Sequence, residues 1–100
     1  MEHIDVLKAL ANESRLKILH WLKDPKEHFG DPASGGVRGR KVCVSVIQAK
    51  LGLSQSTASQ YLATLEQAGL VTATRDGQWT FYERNEAALK EIDRFLEKEL

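Results

Sequence analysis

The sequence is poor in the features that build disulfide-linked or membrane-anchored proteins. It has one cysteine in 100 residues, which excludes an internal disulfide framework. No apolar run approaches the roughly 18 residues of a membrane-spanning helix. The acidic, amphipathic start Met1-Glu2-His3-Ile4-Asp5 is unlike a signal peptide. We therefore expect a cytoplasmic protein without a membrane partner, folded as one domain over residues 1–100.

Net charge is also missing, since Lys and Arg number 14 and Asp and Glu number 14. The charges are unevenly placed. Residues 37–84 carry six basic against three acidic side chains, a net +3, while residues 1–36 are net −1 and residues 85–100 net −2. The basic middle weakly favours an anionic partner with modest non-specific affinity.

Patterns typical of enzymes and metal sites are absent. The serines within 54–59 have no histidine near them in sequence, and no glycine-rich phosphate loop occurs. The histidines, at 3, 20 and 28, are scattered without HxxxH or HxxE spacing, whereas zinc needs about four N, S or O donors. We therefore predict no enzyme, no cofactor and no metal site.

The strongest pattern present lies at residues 51–65, which predict the turn and second helix of a helix-turn-helix. Gly52 suits the sharp turn because it lacks a Cβ. Ser54 suits the N-cap because its hydroxyl can accept from backbone N–H groups of the first turn. The apolar residues then recur at helical spacing and predict a core-facing stripe of Ala58, Tyr61, Leu62 and Leu65.

The opposite stripe of this helix carries hydrogen-bonding side chains and no charge. It contains Ser56, Ser59, Gln60 and Ala63, with Gln55 beside it. A solvated helix face usually carries Lys and Glu, whereas a face that reads base edges in a major groove needs amides and hydroxyls. The competing interpretation is a surface helix that is simply rich in Ser and Gln.

The remaining residues predict further helices and one β-hairpin. Asn12 and Asn85 can cap helices, Ser45-Val46-Ile47-Gln48 has the form of a capping box, and Asp76-Gly77 joins two β-prone runs. The expected elements are helices 2–11, 12–23, 45–51, 54–68 and 85–100, and strands 70–74 and 78–83. This order, α-α-α-α-β-β-α, is a mostly α fold with a β-hairpin: a winged helix-turn-helix.

Residues 24–41 hold both prolines and four of the seven glycines, and they predict a long, mobile loop. Connections longer than about 12–15 residues are uncommon in compact domains and are often functional or disordered. The basic residues Arg38, Arg40 and Lys41 either reach phosphate groups or form a solubilising cluster. Sequence alone leaves both interpretations open.

Two apolar stripes lie on the first and last helices. A core built from Leu16, Leu19, Leu22, Ile47, Leu51, Leu62, Leu65 and Phe81 leaves little room for them, and exposed apolar patches mark interfaces. We therefore predict a homodimer with two-fold symmetry. Its interface residues would be Ile4, Leu7, Leu89, Ile92, Phe95 and Leu96. Alternatively, the last helix folds back on its own domain.

Three segments together resemble the ArsR family of winged-helix transcriptional repressors: LKALANESRLKIL, LGLSQSTASQYLATLEQAGLV and RDGQWTFY. The resemblance runs from residue 3 to about 97. It implies a homodimer that binds a palindromic double-stranded DNA operator through two recognition helices and releases it when a small-molecule inducer binds. The DNA contacts that it implies are Gln55, Ser56, Ser59 and Gln60 on bases, Thr57 on phosphate, and Arg75 and Gln78 in the wing.

The sequence departs from the metal-sensing members of this family, which carry Cys-Val-Cys where this chain has Cys43-Val44-Ser45. One thiolate cannot build their sulfur site, so we argue against metal sensing. Cys43 is either a small buried hydrophobe or an oxidisable thiol near a helix start. Two alternative functions remain: a thiol- or ligand-responsive sensor using Cys43 and the 24–41 loop, and a winged-helix protein-interaction module that does not bind DNA.

Overall fold

The structure, a computed structural model, describes residues 3–100, and this part of the chain forms six helices and four strands. The helices are α1 (Ile4–Leu10), α2 (Glu13–Lys23), α3 (Pro25–Phe29), α4 (Val44–Leu51), α5 (Gln55–Gln67) and α6 (Glu86–Glu99). The strands are β1 (Val37–Arg38), β2 (Lys41–Cys43), β3 (Val71–Asp76) and β4 (Trp79–Arg84). The predicted helix start at Glu2 and the acidic N-terminal pair Met1-Glu2 lie outside the described residues. The predicted mostly α, winged helix-turn-helix fold is confirmed.

Short polar side chains begin the helices largely where the sequence predicts. The side chains of Asn12, Ser54 and Asn85 accept hydrogen bonds from the third backbone N–H of α2, α5 and α6. Gly52 has φ 71° and ψ 25°, the left-handed conformation that glycine adopts at low cost, and it ends α4 before the sharp turn.

The predicted capping box at Ser45 is wrong. Helix α4 begins one residue earlier, at Val44, with Cys43 as its N-cap, and no side chain caps it. The Ser45 hydroxyl instead donates to the Cys43 sulfur over 3.4 Å. The sequence pattern fails here because Val42 and Cys43 pair with β4, and this pairing fixes where the strand ends and the helix begins.

The sheet is larger than the single predicted hairpin. Its four antiparallel strands follow the order β1-β2-β4-β3, with β3 and β4 paired from Val71 and Arg84 to Asp76 and Trp79. Strand β2 joins this wing through Val42, opposite Tyr82. The wing is therefore the outer part of a sheet that also contacts α4.

The prediction of a long, mobile loop over 24–41 is also wrong, because this segment contains α3, β1 and the first residue of β2. Pro25 occupies the first turn of α3, where its fixed φ is compatible with a helix, and Asp24 accepts from the Glu27 N–H. Phe29 then packs edge-on against Trp21, with ring centroids 6.1 Å apart. Tertiary contacts of this kind stabilise elements that are too short to show in a periodicity pattern.

The core lies between α2, α4, α5 and the sheet. Its largest fully buried members are Ile18, Leu22, Val42, Ile47, Leu62, Leu65, Leu70 and Val71. The predicted core position of Leu16 is wrong, since half of this residue is exposed. Helix α2 instead directs Ile18, Leu19 and Leu22 inward. Within residues 3–100, no helix has both the length and the apolar character of a membrane-spanning segment.

Candidate nucleic-acid interface

The start of α5 is held by a local network of hydroxyl groups. The Ser54 oxygen accepts from the Thr57 N–H over 3.2 Å, and the Ser54 hydroxyl donates to Thr57 Oγ1 over 2.9 Å. The Ser56 hydroxyl lies 3.2 Å from the same Ser54 oxygen. Because Thr57 Oγ1 accepts here, its own proton remains available to an oxygen outside the protein.

Helix α5 separates its apolar and polar faces sharply. Leu62 and Leu65 are fully buried, and Ala58 is buried with them. On the opposite face Gln55, Ser56, Gln60 and Ala63 are exposed, while Thr57 and Ser59 are partly exposed. The helix thus presents amides and hydroxyls outward without a charged residue before Glu66. This is the composition suited to base edges.

The wing places its polar side chains at the tip of the β3–β4 hairpin. Arg75 and Gln78 are both exposed, on either side of a turn in which Gly77 has φ 63°. Burial, then the Glu66 carboxylate, raises the pKa of Tyr82, and Arg75 opposes this shift. Tyr82 therefore stays neutral at physiological pH.

Two of the three basic residues within 38–41, Arg38 and Arg40, form ion pairs within the protein. Arg38 Nη1 lies 2.6 Å from Asp76 Oδ2, and Arg40 Nη2 lies 3.0 Å from Glu86 Oε2. The sequence left two interpretations of these residues, contact with phosphate and a solubilising cluster, and neither of them included these ion pairs. The partners are 38 and 46 residues apart in the chain, so no local pattern could have indicated them.

Arg84, unlike Arg38 and Arg40, was not singled out by the sequence pattern. Its guanidinium binds both carboxylate oxygens of Glu86, at 2.9 and 3.0 Å, and donates to the Leu19 carbonyl over 3.2 Å. The Arg84 hydrogen bond is the main reason why the pKa of Glu86 lies below its usual value, and Arg40 contributes further. This cluster joins the end of the wing to α2 and to the start of α6.

Cys43 is buried, with 3% of its surface exposed, at the edge of a cavity of about 80 Å³. Two of the three histidines, His20 and His28, lie in ring contact with centroids 4.8 Å apart. Within residues 3–100, no cluster of three metal-ligating side chains forms around them or elsewhere.

The predicted dimer residues differ in exposure. Ile4 and Leu96 are 45% and 37% exposed, whereas only 4% of Ile92 is exposed. Leu89 packs against the core, and Phe95 stacks on His3 with ring centroids 4.3 Å apart. The N-terminal half of α6 is thus docked on its own domain, and its C-terminal half is largely exposed.

Comparison with known proteins places this arrangement among bacterial regulators. Residues 37–73 match the model of a protein family that is described as "Bacterial regulatory protein, arsR family". The chain is 50% identical, over the full length of both proteins, to the uncharacterised HTH-type transcriptional regulator YbzH of Bacillus subtilis. It is 31% identical over 93 residues to the arsenical resistance operon repressor of the same species, of which it covers 72%.

A solved structure, that of HlyU from Vibrio cholerae, shares the fold. The TM-score is 0.68 and the identity 33%, covering 93% of this chain and 85% of that one. HlyU is named a transcriptional activator. These relatives favour DNA binding over a protein-interaction module. The chain therefore belongs to the arsR family of bacterial regulatory proteins and is a DNA-binding transcriptional regulator.

Proposed function

We propose that this regulator is a homodimeric repressor that binds a palindromic operator, with α5 of each protomer in the major groove. The observation that carries the proposal is the exposed, uncharged stripe on the N-terminal half of α5, which the Ser54 network holds in place. Glutamine amides can bond bidentately to adenine, and serine hydroxyls can serve several bases. We assign base contacts to Gln55, Ser56, Ser59 and Gln60.

The phosphate contacts follow from the same geometry. Thr57 has a hydroxyl proton free at the helix start, next to the exposed backbone N–H groups of the first turn. Arg75 and Gln78, exposed at the wing tip, would contact the backbone or minor groove flanking the site. These contacts position the protein and carry little base preference.

The relatives include both an operon repressor and a transcriptional activator. We propose repression, because a repressor needs nothing beyond binding to its operator. A dimer that covers a promoter excludes other proteins by occupancy alone. We propose that a small-molecule inducer releases the operator and that the protein works in the cytoplasm, where that DNA lies.

Selection of bound fragments from the organism's genomic DNA tests this function. We expect fragments that share one palindrome, with half-site centres about one helical turn, roughly 34 Å, apart. Fluorescence anisotropy would then show tighter binding to this duplex than to a scrambled one. Binding that is equally tight on both duplexes would contradict sequence-specific regulation.

The wing contact is tested separately by Arg75→Ala. Loss of one phosphate contact should weaken binding to operator and scrambled duplexes alike and reduce the slope of log affinity against log salt by about one unit. A changed sequence preference would mean that Arg75 reads the minor groove. An unchanged affinity would remove the wing from the DNA.

A further inference from the structure

We propose that residues 34–38, here called the strap, hold the wing tip in its DNA-binding position, with Arg38 as the positioning residue. The strap belongs to the segment that sequence analysis predicted to be a loop. The proposal rests on the proposed DNA contacts of the wing, and it gives the β1–β2 hairpin a function of its own.

One end of the strap is bound to the wing tip. The Arg38 guanidinium lies 2.6 Å from the Asp76 carboxylate and sits over the Phe81 ring, 4.3 Å from its centroid. Asp76 ends β3 and is the chain neighbour of Arg75. Because the two residues are consecutive in the backbone, the position of Asp76 determines where Arg75 can reach.

The other end of the strap is bound to the start of α4. The Gly36 carbonyl accepts from the Cys43 N–H over 2.7 Å. A Cβ atom built on Gly36 would overlap Val46 Cγ2, so the strap passes directly against α4. Between its two ends the strap encloses the small cavity with Trp79 and Phe81. It therefore links the first helix of the helix-turn-helix to the tip of the wing.

This linkage matters because a two-stranded hairpin is only marginally stable by itself. The wing tip, residues 75–79, extends past the part of β4 that pairs with β2, which ends at Phe81. Arg38 and Asp76 side chains are 54% and 63% exposed, so their pairing contributes little to global stability. Local opening of a hairpin tip, however, responds to contributions of this size.

The charge of Asp76 allows a test in which the proposal and simple electrostatics predict opposite changes in DNA affinity. Asp76→Asn removes a negative charge next to the proposed phosphate contact, and electrostatics alone predict tighter DNA binding. Loss of the strap contact predicts the opposite. We expect Asp76→Asn to weaken operator binding about two- to five-fold, the range of a half-exposed ion pair.

Two further variants separate positioning from direct phosphate contact by Arg38. If the ion pair acts as a unit, Arg38→Gln and Asp76→Asn together should weaken binding no more than Arg38→Gln alone. The matched control is Arg40→Gln, which removes the same charge from the same hairpin but breaks only the pair with Glu86. It should leave the wing tip unchanged. Tighter binding by Asp76→Asn would overturn the proposal.

Amide hydrogen exchange of the DNA-free protein measures the wing tip directly. Amides of residues 75–79 should exchange about two- to five-fold faster in Arg38→Gln and in Asp76→Asn, and at the wild-type rate in Arg40→Gln. Unchanged exchange rates in Arg38→Gln and in Asp76→Asn would overturn the proposal that the strap holds the wing tip. If wild type selects no operator, the proposed function fails, and the exchange rates still decide whether Arg38 holds the tip.

Discussion

At the scale of single residues, the interface depends on side chains that are polar, short and uncharged. Gln60 and Ser56 are exposed on α5, and the fully buried Leu62 and Leu65 fix the rotation of the helix about its axis. Since burial sets this rotation, substitutions on the exposed stripe should change recognition and leave the fold intact.

We predict that Ser56→Ala and Gln60→Ala each weaken operator binding by about 1–3 kcal/mol, because each removes hydrogen bonds to a base edge. Gln67→Ala is a matched control at the last residue of the same helix, where the side chain is also exposed. Fluorescence anisotropy with operator and scrambled duplexes measures the effect. Equal losses on both duplexes would leave these residues only a backbone role.

The Arg84–Glu86 pair predicts a pH dependence of stability. The folded pKa of Glu86 lies below its ordinary value of 4.5, mainly through the hydrogen bond from Arg84. A carboxylate whose pKa is lower in the folded than in the unfolded state stabilises the fold at pH values above its unfolded-state pKa. This contribution disappears as the pH falls through the folded-state pKa. Since the Glu86 side chain is 40% exposed, screening limits the contribution to about 1 kcal/mol or less.

We therefore expect Glu86→Gln to lower the free energy of unfolding at neutral pH and to differ less from wild type as the pH falls below 4.5. Urea denaturation over this range checks it. Glu13→Gln, which breaks an α2 surface pair with Lys17, is the control and should cost less than about 0.5 kcal/mol. A difference that persists undiminished in acid would exclude the ion pair as its cause.

At the scale of elements, the two helices of the helix-turn-helix begin in different ways. Helix α5 has a side-chain cap at Ser54, whereas α4 follows directly on β2 and has none. The sequence offers a serine near both starts, at positions 45 and 54, and only the structure distinguishes them. Their different surroundings predict different costs for the same substitution.

Ser54→Ala should destabilise the protein by about 1 kcal/mol, the usual loss for an N-cap, and weaken DNA binding because Thr57 loses its hydrogen-bond partner. Ser45→Ala should cost clearly less, since it removes only a hydrogen bond to a sulfur atom. Chemical denaturation of both variants compares them directly. Equal costs would mean that the Ser54 contact is not a cap in solution.

At the scale of the whole molecule, the exposed apolar residues require an explanation. The protein is elongated, 45 × 24 × 23 Å, and Ile4, Leu96 and Leu100 remain 45%, 37% and 83% exposed. A groove with a volume of about 850 Å³ is lined by His3 and Phe95 together with charged residues of α6. A two-fold partner would cover such a surface with its own copy.

We predict that Leu96→Asp yields a monomer with little operator affinity, because an introduced carboxylate would be buried in the dimer. Phe95→Asp should do the same, but its ring also stacks on His3, so Leu96 is the cleaner site. Ala87→Asp is the control, on the opposite side of α6 and already exposed. Sedimentation equilibrium decides. A monomeric wild type that binds a palindrome tightly would refute the prediction.

The sequence by itself determined the elements whose signals are local: the caps at Asn12, Ser54 and Asn85, the turn at Gly52, and the two faces of α5. Each depends on residues within one or two helical turns, so spacing is sufficient to predict it. The winged helix-turn-helix follows from their order. The dimer and the DNA-contact residues remain predictions.

Only the tertiary structure decided what depends on residues far apart in the chain. It formed α3 and β1 in a segment for which the sequence predicts a loop, left Leu16 half exposed, started α4 at Val44 and brought Arg38 to Asp76. The physical reason is common to all four. Strand pairing, burial and ion pairing join partners separated by tens of residues, and no local pattern records which partner each residue will meet.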